Sequence, residues 1–193
     1  MRYSEQIKTV FDKEIEALNL TKDSIDEKLN EIIDVLAHCQ GKVIFSGVGK
    51  SGYISAKIAS TFSSLGTPAI FMHPTEAKHG DLGLLDSKDV VVLVSYSGES
   101  SEVTDLLPYI KSKSIKTIAI TGNSDSPLYK GCDYIYCFPS FQEATRFGLA
   151  PTSSTTALLV LGDALAVVLS EIKDFQKEEF AALHPGGVLG ECV

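Results

Sequence analysis

The stretch Val90–Glu102, VVVLVSYSGESSE, decides the fold class. Val90 to Val94 is an unbroken, β-branched apolar run, the pattern of a strand buried on both faces of a parallel sheet. It runs into Ser95, Ser97, Gly98, Ser100 and Ser101, and a helical pattern follows from Glu102 to Lys113. A small-residue loop between a buried strand and a helix start presents backbone N–H groups and hydroxyls at the positive end of a helix dipole. Such a loop is a cradle for an anion. It carries hydroxyls but no lysine of the P-loop type, so the anion is read as the phosphate of a small molecule. The alternative is an ordinary Ser/Gly turn.

Outward from this segment, strands and helices alternate. Val43–Ser46, Ala69–Met72, Thr117–Thr121 and Tyr134–Phe138 read as further strands. Tyr53–Leu65 reads as a helix closed by Gly66, and Ser153–Glu171 as a long helix, apolar nearly all round and therefore expected to be largely buried. Two helices come first. Ile7, Val10, Phe11, Ile15 and Leu18 share one face, and Ile25, Leu29, Ile32, Ile33 and Leu36 another, with Gly41 as the expected stop. The alternation implies an α/β fold, a doubly wound five-stranded parallel sheet flanked by helices, behind an N-terminal helical extension. One domain is expected over 1–193, with helices over 1–40 and the α/β core over 41–193. Sites in such sheets lie at the carboxyl ends of the strands.

Composition narrows the partners. Net charge is −8 over 193 residues, which argues against nucleic acid or an anionic membrane. Cys39, Cys132, Cys137 and Cys192 form no CxxC pair, the usage of reduced thiols in a cytoplasm. The N-terminus is charged and amphipathic, unlike a signal peptide, and the apolar tract Ala157–Leu169 is too short to span a bilayer and contains Asp163.

Three further segments carry polar chemistry. Gly47-Val48-Gly49-Lys50-Ser51-Gly52 follows the first strand and matches the dinucleotide pattern G-x-G-x-x-G. Its expected ribose-binding acid is missing unless Glu76, beyond Pro74, serves; the P-loop reading fails because Ile44 holds the position of the first glycine. A tight glycine turn that brings Lys50 and Ser51 to an anion remains. Glu76–Asp81 and Gln142–Arg146 are polar clusters after strands, and His184 precedes Pro185-Gly186-Gly187. Singly, these read as solvated loops and a turn. His73 and His79 lack the spacing of paired ligands and no cysteine joins them, so no metal site is expected.

Together, GVGKSG at 47–52, HPTEAKHGDLG at 73–83, SYSGESSE at 95–102, GLAPTSSTTALLVLGDALA at 148–166 and HPGG at 184–187 resemble the sugar isomerase (SIS) domain, and more narrowly its arabinose-5-phosphate isomerase branch. Longer members continue past HPGG into two CBS domains, so the chain is read as the short form. The resemblance implies interconversion of D-arabinose 5-phosphate and D-ribulose 5-phosphate through a cis-enediolate, with no cofactor. It carries the catalytic set onto Lys50, His79, Glu102, Glu143 and His184. The substrate and phosphate contacts fall on Gly49, Ser51, Ser95, Ser97 and Ser100, with Ser153, Ser154 and Thr155 nearby. His184 is expected to be the carbon base and His79 the ring-opening group, with Glu102 and Glu143 as rival bases. Lys50 would steady the enediolate or the phosphate.

One departure stands out. Thr145-Arg146-Phe147 replaces a Cys-Pro-Leu sequence common in the branch, beside the expected substrate. Alternatives are another SIS isomerase acting on a hexulose or amino-sugar phosphate, and a sugar-phosphate-binding regulator without turnover. A nucleotide-dependent oxidoreductase rests on the glycine pattern alone. The acidic N-terminal helices contain no basic recognition helix, which argues against DNA binding. The resemblance also implies a homotetramer with sites near subunit interfaces.

Overall fold

The computed structural model describes residues 3–186, so Gly187 of the HPGG segment and Cys192 lie outside the described residues. Strands β1 (Val43–Gly47), β2 (Ala69–Phe71), β3 (Val90–Val94), β4 (Lys116–Thr121) and β5 (Tyr134–Cys137) form one sheet in the order β2-β1-β3-β4-β5. Every pairing is parallel, and the register sets Gly47 of β1 level with Val94 of β3. The α/β, parallel-sheet expectation therefore holds. The β1/β3 boundary is the switch point of this strand order, where chains diverge to opposite faces and a crevice opens.

The strand period of two feeds two cores. Val90, Val92 and Val94 pack on one face with Phe45, Phe62 and Leu161. Val91 and Leu93 pack on the other with Leu106, Ile110 and Leu128. Each of these side chains is nearly or fully buried, which contributes about 1.5–3 kcal/mol apiece relative to exposure.

The first face is covered by α2 (Lys28–Ala37), α3 (Gly49–Ser64) and α8 (Ser153–Ile172), with α1 (Tyr3–Asp23) lying on α8. Between β2 and β5 come α4 (Pro74–Ala77), a 3-10 turn at Asp81–Leu84, α5 (Ser101–Thr104), α6 (Leu107–Ser112) and α7 (Pro127–Gly131). The last helix is α9 (Lys177–Leu183).

Three expectations need correction. The helix read over 102–113 is two helices, α5 and α6. Pro108 has no N–H to give the carbonyl of Thr104, and its ring crowds that carbonyl, so the chain breaks at Asp105-Leu106. Gly41 does not stop α2, which ends at Ala37 with His38 as its cap. Instead a Cβ on Gly41 would sit 2.3 Å from Asp89 Oδ1, so glycine is needed for close approach.

On α1 the apolar residues Ile7, Phe11 and Ile15 are not packed inward: they are 58%, 64% and 52% exposed, while Ala17 and Thr21 are buried. Nor is α8 buried all round. Its 20 residues are long and apolar enough to cross a bilayer, yet one side packs into the core through Ala157, Leu161 and Leu165, and Val160, Val167 and Ile172 stay exposed.

Candidate active site

The carboxyl ends of β1 and β3 open into a cleft of about 330 Å³ bordered by Ser51, Ser95, Ser97, Ser100, Glu143 and Ser154. Its floor is the loop that leaves β3. Ser95 is buried, and its Oγ lies 3.0 Å from Ser100 Oγ and 3.5 Å from Ser97 Oγ. Three hydroxyls thus converge within one hydrogen-bonding radius. Ser95 Oγ also accepts from the N–H of Gly98, and Ser97 Oγ from that of Glu99. Gly98 has φ +67, and a Cβ there would meet Ser126 Oγ at 2.1 Å, so only glycine lets the loop turn this tightly against its neighbour.

On the β1 side, Gly49 (φ +59) starts α3 and places Lys50 and Ser51 in its first turn. The last glycine of the motif is a packing residue: a Cβ on Gly52 would stand 2.6 Å from the carbonyl oxygen of Gly47. The glycine pattern therefore brings helix and strand together, a need that exists without any dinucleotide. Lys50 is exposed, and among the described residues it pairs with no carboxylate.

Glu143 stands opposite, on the irregular segment between β5 and α8. Its Oε2 accepts hydrogen bonds from the N–H of Thr152 (2.7 Å), the hydroxyl of Thr152 (3.1 Å) and the N–H of Ser154 (3.2 Å). Its Oε1 accepts one, from the hydroxyl of Ser154. The carboxylate thus caps the N-terminus of α8, where the helix dipole favours negative charge. A carboxylate offers about four lone-pair sites, so Oε2 is saturated and Oε1 retains an acceptor position beside the cleft.

The remaining expected residues divide. His79 is exposed after α4, on the same edge of the sheet as the cleft. Neighbouring Lys78 ties that turn to Asp105 through a 2.5 Å ion pair. Glu102 is exposed in the first turn of α5. Of the three expected hydroxyl residues at the start of α8, Ser153, Ser154 and Thr155, only Ser154 borders the cleft. Ser153 donates to Glu14 Oε1 on α1, and Thr155 donates to the carbonyl of Thr152.

His184 is elsewhere. Its Nε2 lies 2.8 Å from Ser64 Oγ, its Nδ1 2.7 Å from the carbonyl of Phe180, and its ring stacks on Phe180. Ser64 ends α3, whereas Lys50 begins it. At 1.5 Å per residue, the two ends of that helix are about 22 Å apart. The chain's own His184 does not reach its own cleft.

Tyr96 is a cleft residue that the sequence reading passed over, although it sits between two of the quoted serines. Its ring packs at a tilt of 38° against those of Phe141 and Phe138. Burial pushes its hydroxyl above the ordinary tyrosine range, and the nearby Glu143 and Cys137 push the same way. Burial pushes the Cys132 thiol up to about 12. Among the described residues no group of His, Cys, Asp and Glu is arranged to hold a metal ion.

Comparison with known proteins gives consistent results. The SIS domain profile matches residues 36–168. An arabinose 5-phosphate isomerase, KdsD, from Yersinia pestis is 47% identical over 183 residues, covering 95% of this chain and 56% of the relative. A probable arabinose 5-phosphate isomerase from Haemophilus influenzae is 45% identical, covering 92% and 52%. The chain thus spans about half the length of the curated relatives it matches. Among solved structures, Escherichia coli CFT073 c3406 in complex with arabinose 5-phosphate superposes with a TM-score of 0.92 at 44% identity, covering 96% of this chain and all (100%) of that one. A sugar-phosphate isomerase described as putative, from Listeria monocytogenes, superposes equally well (TM-score 0.92) at 31% identity, covering 95% and 97%.

Proposed function

The chain belongs to the SIS domain family, and we propose that it is a cytoplasmic aldose–ketose isomerase that interconverts D-arabinose 5-phosphate and D-ribulose 5-phosphate. The observation that carries this reading is the pairing, across one cleft, of a hydroxyl cradle with an oriented carboxylate. Ser95, Ser97 and Ser100 offer an anion three hydroxyls, and Glu143 faces them with one acceptor position unfilled. The likeness to arabinose 5-phosphate isomerases, and to a structure in complex with arabinose 5-phosphate, supports the choice of sugar.

In this reading the phosphate sits on Ser51, Ser95, Ser97 and Ser100, with the backbone at Gly49 close by. The reacting carbons lie toward Glu143. Glu143 Oε1 removes the proton from C2 of the open-chain aldose and returns it to C1. The hydrogen leaves one carbon and arrives at the next, so no redox partner is consumed. Lys50 steadies the negative charge that develops on the oxygens. Glu102 and His79, exposed on the same edge of the sheet, serve proton transfer at oxygen and ring opening.

His184 was expected to be the carbon base, and within one chain it lies against Ser64 and Phe180, away from the cleft. We place His184 instead in the cleft of a second copy, within a homotetramer whose sites lie near subunit interfaces. The outward apolar faces of α1 and α8 give such an assembly its contact surfaces. The test is direct: purified protein is incubated with each pentose 5-phosphate and interconversion followed, with exchange of the C2 proton into deuterated water as a second readout. Absence of both in assembled protein overturns the proposal.

A further inference from the structure

Beside the phosphate cleft lies a second cavity of about 450 Å³, which meets the first at Tyr96, Glu143 and Gly148. Two cationic side chains line it, Lys13 from α1 and Arg146 from the segment before α8. Among the described residues neither pairs with a carboxylate. The Arg146 guanidinium instead lies over the ring of Phe147, 5.4 Å from its centroid, which leaves its planar N–H fork available. Thr145 lines the same cavity, but its Oγ1 is buried and is not presented to it. The one carboxylate in the cavity wall, Glu143, already has its charge met by the start of α8. The cavity therefore holds two cations without a carboxylate partner, beyond the reacting end of the cleft.

We propose that Arg146 and Lys13 form a second anion subsite, so that the cleft takes phosphosugars bearing a second anionic group at the end opposite the first phosphate. This rests on the reading of the cleft as a phosphosugar site. The ligand class is a sugar bisphosphate or a phosphorylated sugar acid, held by the first phosphate at Ser95, Ser97 and Ser100 and by the second anion at Arg146.

Dissociation constants for two matched pairs test this on the assembled wild-type protein: D-ribulose 5-phosphate against D-ribulose 1,5-bisphosphate, and D-glucose 6-phosphate against 6-phosphogluconate. In at least one pair the doubly anionic member should bind roughly tenfold or more tightly than its partner. In Arg146→Ala combined with Lys13→Ala, that ratio should fall close to one. No advantage in either pair, or an advantage that survives the double substitution, overturns the subsite while leaving the phosphosugar reading intact. Failure of all four compounds to bind the wild-type protein overturns the phosphosugar reading, and the subsite with it.

Discussion

Glu143 accepts both the N–H and the hydroxyl of Thr152 on a single carboxylate oxygen, at 2.7 and 3.1 Å. The pair joins the irregular segment after β5 to the N-cap of α8 and leaves the unfilled acceptor position on Oε1. Glu143→Gln keeps the size and most acceptors but removes the charge. Turnover should fall roughly 10²–10⁴-fold with KM little changed, since the loss is of a proton acceptor. The melting curve should shift by the equivalent of about 0.5–2 kcal/mol, the range for a lost helix cap. Full turnover in this variant removes Glu143 from the proton-transfer role.

The serine loop makes a separate prediction about binding. Ser97 is exposed, and its hydroxyl lies within reach of Ser95. Ser97→Ala should cost about 1.5–3 kcal/mol of phosphosugar binding, the range for a hydrogen bond to a charged group. Calorimetric titration should therefore show affinity lowered roughly tenfold or more. The fold should be little affected, because the only backbone bond the substitution removes is that from the Glu99 N–H, while the bond from the Gly98 N–H to Ser95 Oγ stays. Unchanged affinity in Ser97→Ala together with Ser100→Ala overturns the cradle.

The sheet was legible because its strands are nearly continuous apolar runs, and Val90–Val94 appears in the structure with the bounds its sequence implies. Short elements were not legible. Helix α9 is held by a capping box between Gln176 and Glu179, but Gln is not among the usual cap residues, so the signal is weak. The site was legible by residue type more than by place. Ser153, Ser154 and Thr155 are consecutive in sequence, yet successive helical residues point about 100° apart. Three adjacent hydroxyls therefore cannot share one ligand, and only Ser154 faces the cleft. The position of His184 was not legible for a related reason: sequence order does not reveal which end of the sheet a segment returns to. Arg146 and Lys13 lie far apart in the chain, and no local pattern links them.

Acid stability should report on Asp89, whose side chain is 1% exposed. Burial pushes its carboxyl up, but bonds from the Lys42 ammonium and from the N–H groups of Lys42 and Asp86 outweigh this and leave it below its ordinary value of 3.8. A carboxyl lowered by folding contributes stability that is fully present above pH 3.8 and is lost as pH falls through the lower folded value. Denaturant midpoints should drop across that acid window in the wild-type protein. Asp89→Asn should be less stable at neutral pH and show a shallower acid slope. An unchanged slope would mean that other carboxylates carry the acid transition.

The contact between His184 and Ser64 makes the strongest demand on assembly, because it places an expected site residue at the far end of α3 from Lys50. If His184 serves the cleft of a second copy, two inactive proteins should rescue one another. Glu143→Gln and His184→Ala homomers should each have roughly 10²-fold or lower turnover. When the two variants are dissociated, mixed and reassembled, some clefts combine an intact Glu143 with an intact His184 from the other copy, and a sizeable fraction of activity should return. Rescue cannot occur if both residues act within one chain, since every chain in the mixture carries one defect. Phe11→Glu supplies the complementary control. Phe11 is 64% exposed in the isolated chain, so a charge there should leave the fold intact. If α1 lies in the contact between copies, that charge should shift sedimentation toward smaller species and lower activity together. A stable monomer that keeps full turnover would refute the shared site.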